Sequence, residues 1–166
     1  ITIQNPPVNA LSVAVRRGLD AAISRFAGDA KARIAVIIGA GRTFIAGADI
    51  KEFGKPPQEP RLPDLIQRIE DTDKPVVAVL HGTALGGGLE VALGAHYRLA
   101  LPGAKLGLPE VTLGLIPGAG GTQRLPRLIG ADATLTLTLI TSGRPVSAQQ
   151  ALEMGIVDQI SQDSDP

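Results

Sequence analysis

Two carboxylates stand where an ordinary helix or turn would carry none. Glu90 follows three consecutive glycines in ALGGGLEVALGAHY, residues 84–97, and sits in an otherwise apolar run. Glu110 lies in LGLPEVTLGLIPGAGG, residues 106–121, directly after a proline and just before a glycine-rich turn. Burying an isolated carboxylate is costly, so two of them in apolar segments call for a reason, and proton transfer is one. Two small-residue turns supply a partner for that chemistry. In FIAGADIKEF, residues 44–53, Ala46, Gly47, Ala48 and Asp49 let a ligand approach backbone N–H groups. In ALGGGLE the same smallness opens a helix, where N–H groups lack partners and the dipole favours negative charge. One donor from each turn makes an oxyanion hole, suited to a carbonyl that gains charge in the transition state. On spacing alone a second reading stays open: Glu90 caps or pairs with Arg124 or Arg98, and Glu110 caps the following turn.

The elements that must position these residues alternate between strand and helix. Ile1 to Gln4 ends a strand, NPPVNALS turns, and Ser12 caps a helix to about Phe26 with Val15, Leu19, Ala22, Ile23 and Phe26 on one face. RIAVIIGA, residues 33–40, and KPVVAVLHG, residues 74–82, are continuous apolar runs that read as strands buried on both faces. Between them, Phe53 to Pro63 carries four prolines and reads as a loop, followed by a helix over DLIQRIEDTD, residues 64–73. Residues 83–95 are expected to be the helix that holds Glu90. Two short strands flank Pro102-Gly103, and further helices are expected over 121–130, 131–143 and 147–155, the last capped by Ser147 and closed by Gly155. The fold class is α/β with short strands and without a long doubly wound sheet.

Composition removes several function classes. With 166 residues and 44% hydrophobic content, the chain forms one soluble domain, residues 1–166. Lys plus Arg equals Asp plus Glu at 16 each, and aromatic residues make up 2%, so neither a basic field nor a stacking surface invites nucleic acid. Cysteine is absent, and His81 and His96 lack metal-ligand spacing, so no metal site is expected. His81 ends a strand and His96 ends a helix, where both read as structural. No apolar run approaches the ~18 residues a membrane span needs, and the start lacks a basic and then apolar leader, which reads as an intracellular, non-membrane protein. The chain opens inside a strand-like pattern and ends in a polar tail, as a piece of a longer protein would. Gly39-Ala40-Gly41 after a strand imitates a dinucleotide fingerprint, but Phe44 occupies the third glycine position. PGAGGT lacks the Gly-Lys-Ser/Thr of a phosphate loop and reads as a turn into a helix.

FIAGADIKEF, KPVVAVLHGTALGGGLEVALGAHYRLA, AKLGLPEVTLGLIPGAGGTQRLPRLIG and SGRPVSAQQALEMGIVDQI, in this order, resemble the enoyl-CoA hydratase/isomerase (crotonase) superfamily over almost the whole chain. The likeness is greatest to the N-terminal part of multifunctional fatty-acid β-oxidation enzymes. Ala95-His96 stands where separate hydratases more often carry Cys-Asp. The resemblance implies a crotonase (ClpP-like) spiral of repeated ββα units, truncated at both ends, with an acyl-CoA thioester as substrate and no cofactor beyond the coenzyme A it carries. It implies that the Ala48 and Gly87 N–H groups hold the thioester oxygen, that Glu90 activates water, and that Glu110 gives a proton to the α-carbon. Ala46, Gly47, Asp49, Ile50, Lys51, Gly86, Pro117 and Gly118 would line the substrate channel, although Lys51 reads equally as a solvated charge. Hydration of trans-2-enoyl-CoA is the activity implied, with Δ3-Δ2-enoyl-CoA isomerisation or acyl-CoA binding without catalysis as alternatives. A trimer-type homo-oligomer, a downstream dehydrogenase part and C-terminal helices over the site are implied as well. The setting is bacterial cytoplasm, or the peroxisome in a eukaryote.

Overall fold

Strand pairing begins where the apolar runs are richest in β-branched residues. In the computed structural model, which describes residues 1–130 and 133–163, β2 (Ala35–Gly39) lies parallel to β3 (Val76–Leu80), with Ala35 opposite Val76 and Ile38 opposite Val79. β1 (Thr2–Ile3) flanks β2, while β5 (Tyr97–Ala100) and β8 (Gln159–Ile160) extend the sheet beyond β3. All neighbours are parallel, and the order β1-β2-β3-β5-β8 rises in one direction without a reversal. The sheet is therefore wound one way only, which is the geometry of a spiral.

A second, smaller sheet turns each coil of that spiral. β4 (Thr83–Leu85), β6 (Lys105–Gly107) and β7 (Val146–Ser147) pair in the order β4-β6-β7, and Ile45 bridges Ala84 beside them. The chain passes from first sheet to second sheet to helix repeatedly. One pass runs β2, Ile45 and α2 (Leu62–Glu70); the next runs β3, β4 and α3 (Gly87–Gly94); another runs β5, β6 and α4 (Gly121–Ile129). This is the expected ββα repeat. α1 (Val13–Gly28) packs on α2, α2 on α3 and α3 on α4, so each helix leans on the one from the preceding coil.

Several local expectations need correction. Residues 83–85 are strand rather than helix, because Thr83 to Leu85 pairs with Lys105 to Gly107 before Gly86, at φ 51°, redirects the chain. An unbroken apolar run has no period that separates a short strand from the helix following it. The central strands are also not buried on both faces. Ile37, Val76, Ala78 and Leu80 are wholly buried, whereas Val36 is 42% exposed and Val77 and Val79 are half-buried. α2 starts at Leu62, inside the proline-rich stretch, with Pro63 in its first turn, where a missing N–H breaks no helical bond.

The caps follow expectation more closely. Ser12 accepts from the Val15 N–H and starts α1, which continues to Gly28 rather than Phe26. Ser147 and Gln150 form a reciprocal capping box on α6 (Ala148–Glu153), and Gly155 follows at φ 76°. α5 is described over Ala133–Ser142, and the expected start at 131 lies outside the described residues.

α3 is the element that carries Glu90, and all of its residues are buried. Its approach to the Ile45 segment is too close for a side chain at Gly88, where a Cβ would run into the Ile45 carbonyl and Cβ. This contact locks the helix against the turn that follows β2.

Candidate active site

The two small-residue turns meet side by side. The Ile45–Ala84 bridge and the Leu85 N–H, which donates to the Ile45 carbonyl at 3.1 Å, bring FIAGAD against ALGGGLE. On its other flank Ala48 pairs with Leu11, whose N–H donates to the Gly47 carbonyl at 2.9 Å. A Cβ placed on Gly87 would sit 3.8 Å from the Ala48 nitrogen. Among the described residues, neither the Ala48 nor the Gly87 N–H is taken up by an acceptor. Two unpaired donors thus face one space, and the first turn of α3 adds its dipole to that of Gly87.

That space is a cavity of about 140 Å³ lined by both turns and by Ile50, Phe53, Pro109, Glu110, Leu113 and Leu115. Of the residues singled out from sequence, Ala46, Gly47, Ala48, Ile50, Gly86, Gly87 and Glu110 line it together. Asp49 lines an adjoining cavity with Ala48, and its carboxylate accepts from the Lys51 N–H at 3.0 Å, starting the short 3-10 turn Ile50–Glu52. Lys51 is exposed, Pro117 is buried and Gly118 is exposed; none of these three lines the cavity.

Glu90 sits in the first turn of α3 at 3% exposure. Its Oε1 accepts from the Ala119 and Gly121 N–H groups, both at 2.8 Å, while Oε2 accepts nothing among the described residues. Burial raises its pKa above the ordinary carboxylate value, opposed in order by the Gly121 bond, the Ala119 bond and the charge of Arg124. Glu110 belongs to the 3-10 segment Pro109–Leu113, and its Oε1 is close enough to Gly86 that a Cβ there would lie 3.0 Å away. Its Oε2 is buried without a hydrogen-bond partner among the described residues. Burial again raises the pKa, its own N–H lowers it, and the negative charge of Glu90 raises it further. A carboxyl that lines the cavity and a second whose charge reaches it, each easier to protonate than usual, form a pair suited to proton transfer.

Beside its catalytic reading, the sequence left Glu90 a structural one, an arginine pair or a cap, and of those two the geometry shows the cap. Arg98 pairs with Asp158 at 2.8 Å and Arg124 with Glu70 at 2.6 Å, while Glu90 closes the start of α4 from outside that helix. Ala119 and Gly121 were not identifiable as its partners, because they lie 29 and 31 positions along the chain. Arg16 was also missed. It is nearly buried, binds Glu52 at 2.8 Å and the Pro60 and Leu11 carbonyls at 2.9 Å each, and so ties the loop after Phe53 to α1. His81 bonds the Gly39 carbonyl at 2.9 Å, and His96 Nδ1 accepts from the Val76 N–H at 3.1 Å; both serve the sheet.

The sequence profile described as Enoyl-CoA hydratase/isomerase matches residues 1–165. The chain belongs to the enoyl-CoA hydratase/isomerase family. Among its relatives, a "Peroxisomal bifunctional enzyme" of Danio rerio is 56% identical over 162 residues, which are 98% of this chain and 22% of that protein. A "Probable enoyl-CoA hydratase" of Bacillus subtilis is 48% identical over 164 residues, covering 95% of this chain and 63% of the relative. The chain therefore spans about a fifth of the first and under two thirds of the second. The crystal structure of an enoyl-CoA hydratase from Bacillus anthracis superimposes with a TM-score of 0.87 at 39% identity, covering 96% of this chain and 65% of that one. The family's crotonase fold and the likeness to the N-terminal part of multifunctional enzymes agree with the resemblance drawn from the motifs.

Proposed function

We infer that this chain hydrates trans-2-enoyl-CoA thioesters, adding water syn across the C2–C3 bond. The observation that carries the reading is the pairing of two unclaimed N–H donors with the Glu110 carboxyl around one cavity, with Glu90 buried behind that lining, on the helix that Gly87 opens, and close enough for its charge to act on Glu110. The thioester oxygen would accept from Ala48 and Gly87. Glu90, ionised, would take a proton from water through its free Oε2 as the water oxygen bonds to C3. The C2–C3 electrons would move toward the thioester oxygen as an enolate, which the two donors stabilise most when its charge is greatest. Glu110, protonated, would then deliver its proton to C2. The step leaves Glu90 protonated and Glu110 ionised, and proton exchange restores the pair. Burial of both carboxyls and the charge of Glu90 beside Glu110 favour one proton on the pair, the state this cycle starts from.

No cofactor enters this scheme, because the coenzyme A portion arrives with the substrate. Membership of a hydratase/isomerase family supports a second reading, in which one carboxyl moves a proton from C2 to C4 of a 3-enoyl-CoA. In the whole protein we place a dehydrogenase part downstream and self-association into a trimer-type oligomer, within bacterial cytoplasm or a peroxisome. Among the described residues no helix is long and apolar enough to cross a membrane. The full-length protein given crotonyl-CoA should yield the 3-hydroxyacyl thioester, and given a 3-enoyl-CoA should yield the 2-enoyl isomer if the second activity is present. Absence of hydration in a folded, full-length sample would overturn the primary reading.

A further inference from the structure

Glu90 is held by a turn, and the turn is held by something else. Residues 117–121 donate to Glu90 from two peptides, yet a glycine-rich turn has little stiffness of its own. Arg124, one turn into α4, supplies the constraint. Its Nη1 donates back to the Ala119 carbonyl at 3.2 Å, on the residue whose N–H reaches Glu90. Its Nε and Nη2 donate to Glu70 Oε2 at 2.9 and 2.6 Å, and Nη2 also donates to Gln67 Oε1 at 2.9 Å. Both acceptors belong to α2, a separate helix two coils back along the spiral.

The glycines show that the turn is built around these two side chains. A Cβ on Gly120, whose φ is 102°, would collide with Arg124 Nη1, and a Cβ on Gly121 would lie 3.1 Å from Glu90 Oε1. The guanidinium occupies one side of the turn and the carboxylate the other.

We propose that Arg124 is a positioning residue for Glu90: anchored on α2 by Glu70 and Gln67, it fixes the Ala119–Gly121 turn so that one carboxylate oxygen is held and the other is aimed at the reacting water. The proposal rests on the reading of Glu90 as the base. Charged groups that bear on Glu90 come from each side. α4 contributes Arg124, α2 contributes Glu70 behind it, the 3-10 segment contributes Glu110, and β4 contributes none. The charge of Glu90 makes Glu110 harder to ionise, and Arg124 with the turn it steadies favours the ionised form of Glu90.

The test is made on the full-length protein by following the Glu90 side-chain carboxyl through a pH titration with carbon-13 NMR, beside kcat and KM for crotonyl-CoA hydration. In Arg124→Met the Glu90 midpoint should rise by about one pH unit, the scale on which a near opposite charge acts. At pH 7 kcat should fall about tenfold with KM changed less than about twofold, the pattern of a group that acts on the chemical step. Glu70→Gln, an exposed change that spares the fold, should move both readouts in the same direction by a smaller amount. Arg124→Lys keeps the charge but lacks the planar fork that spans Ala119, Glu70 and Gln67, so it should recover only part of the loss. An unmoved Glu90 midpoint in Arg124→Met and Glu70→Gln, a loss seen in KM alone, or full recovery by lysine would overturn the proposal. Glu90→Gln separates the two claims. If that variant turned over normally, the base reading would fail, while the titration of Glu90 in Arg124→Met would still report whether the turn is held.

Discussion

Among the described residues Glu110 keeps a buried Oε2 without a hydrogen-bond partner, and an unmet polar atom of this kind is costly and rare in native proteins. Its raised pKa fixes the sign of a stability effect. The folded state binds the Glu110 proton more tightly than the unfolded chain does, so this group's contribution is fullest below about pH 4.3 and is lost as pH rises through the folded value. Glu110→Gln cannot titrate. Thermal denaturation should therefore show its stability gaining on wild type as pH increases from 5 to 8; a difference constant across that range would contradict the burial argument. At Ala48 the backbone rather than the side chain is at issue. Ala48→Pro deletes the unpaired N–H and should lower turnover by ~10² to 10³, whereas Ala48→Ser, which keeps it, should stay near wild type. Equal losses in the two variants would mean that the turn tolerates no change of any kind.

Elements hold these residues through close backbone contact. Gly88 has no room for a Cβ beside Ile45, so Gly88→Ala must separate α3 from the turn that bears Ala48. The change should cost about 1–3 kcal/mol of stability, as overpacking does, and lower kcat as well. A denaturation midpoint and kcat both equal to wild type would refute the idea that this contact sets the site. β2, β3, α1 and α6 could be read in advance because each carries its own local signal, an apolar run or a Ser cap. β4 could not, since Thr83 to Leu85 continues the apolar run into α3 and becomes a strand only through pairing with β6. β7 and β8 are two residues each, and their strand character is entirely that of their partners. For the same reason the glutamates and the two glycine-rich turns stood out in the sequence, whereas Ala119, Gly121, Arg124 and Arg16 became visible only once distant segments were brought together.

At the scale of the whole molecule the spiral leaves apolar side chains uncovered, one of which, Leu113, lines the cavity. Leu113 is 63% exposed, Ile116 78% and Leu137 58%, on a 3-10 segment, the stretch that follows it and the helix α5 packed against that segment. Such a grouping marks a contact surface. Sedimentation of the chain should show self-association that weakens in an Ile116→Ser/Leu137→Ser variant; a wild-type chain that stays monomeric at high concentration would show the surface to be inert. The central claim concerns what the spiral brings together inside that surface: two carboxyls that share the work of adding water. It is tested most directly by the rate of crotonyl-CoA hydration in the full-length protein and its Glu90→Gln and Glu110→Gln variants. Each substitution should lower kcat by ~10² to 10⁴ with little change in acyl-CoA affinity, and the double variant should lose far less than the product of the two. Near wild-type turnover in either single variant would contradict the two-carboxyl account.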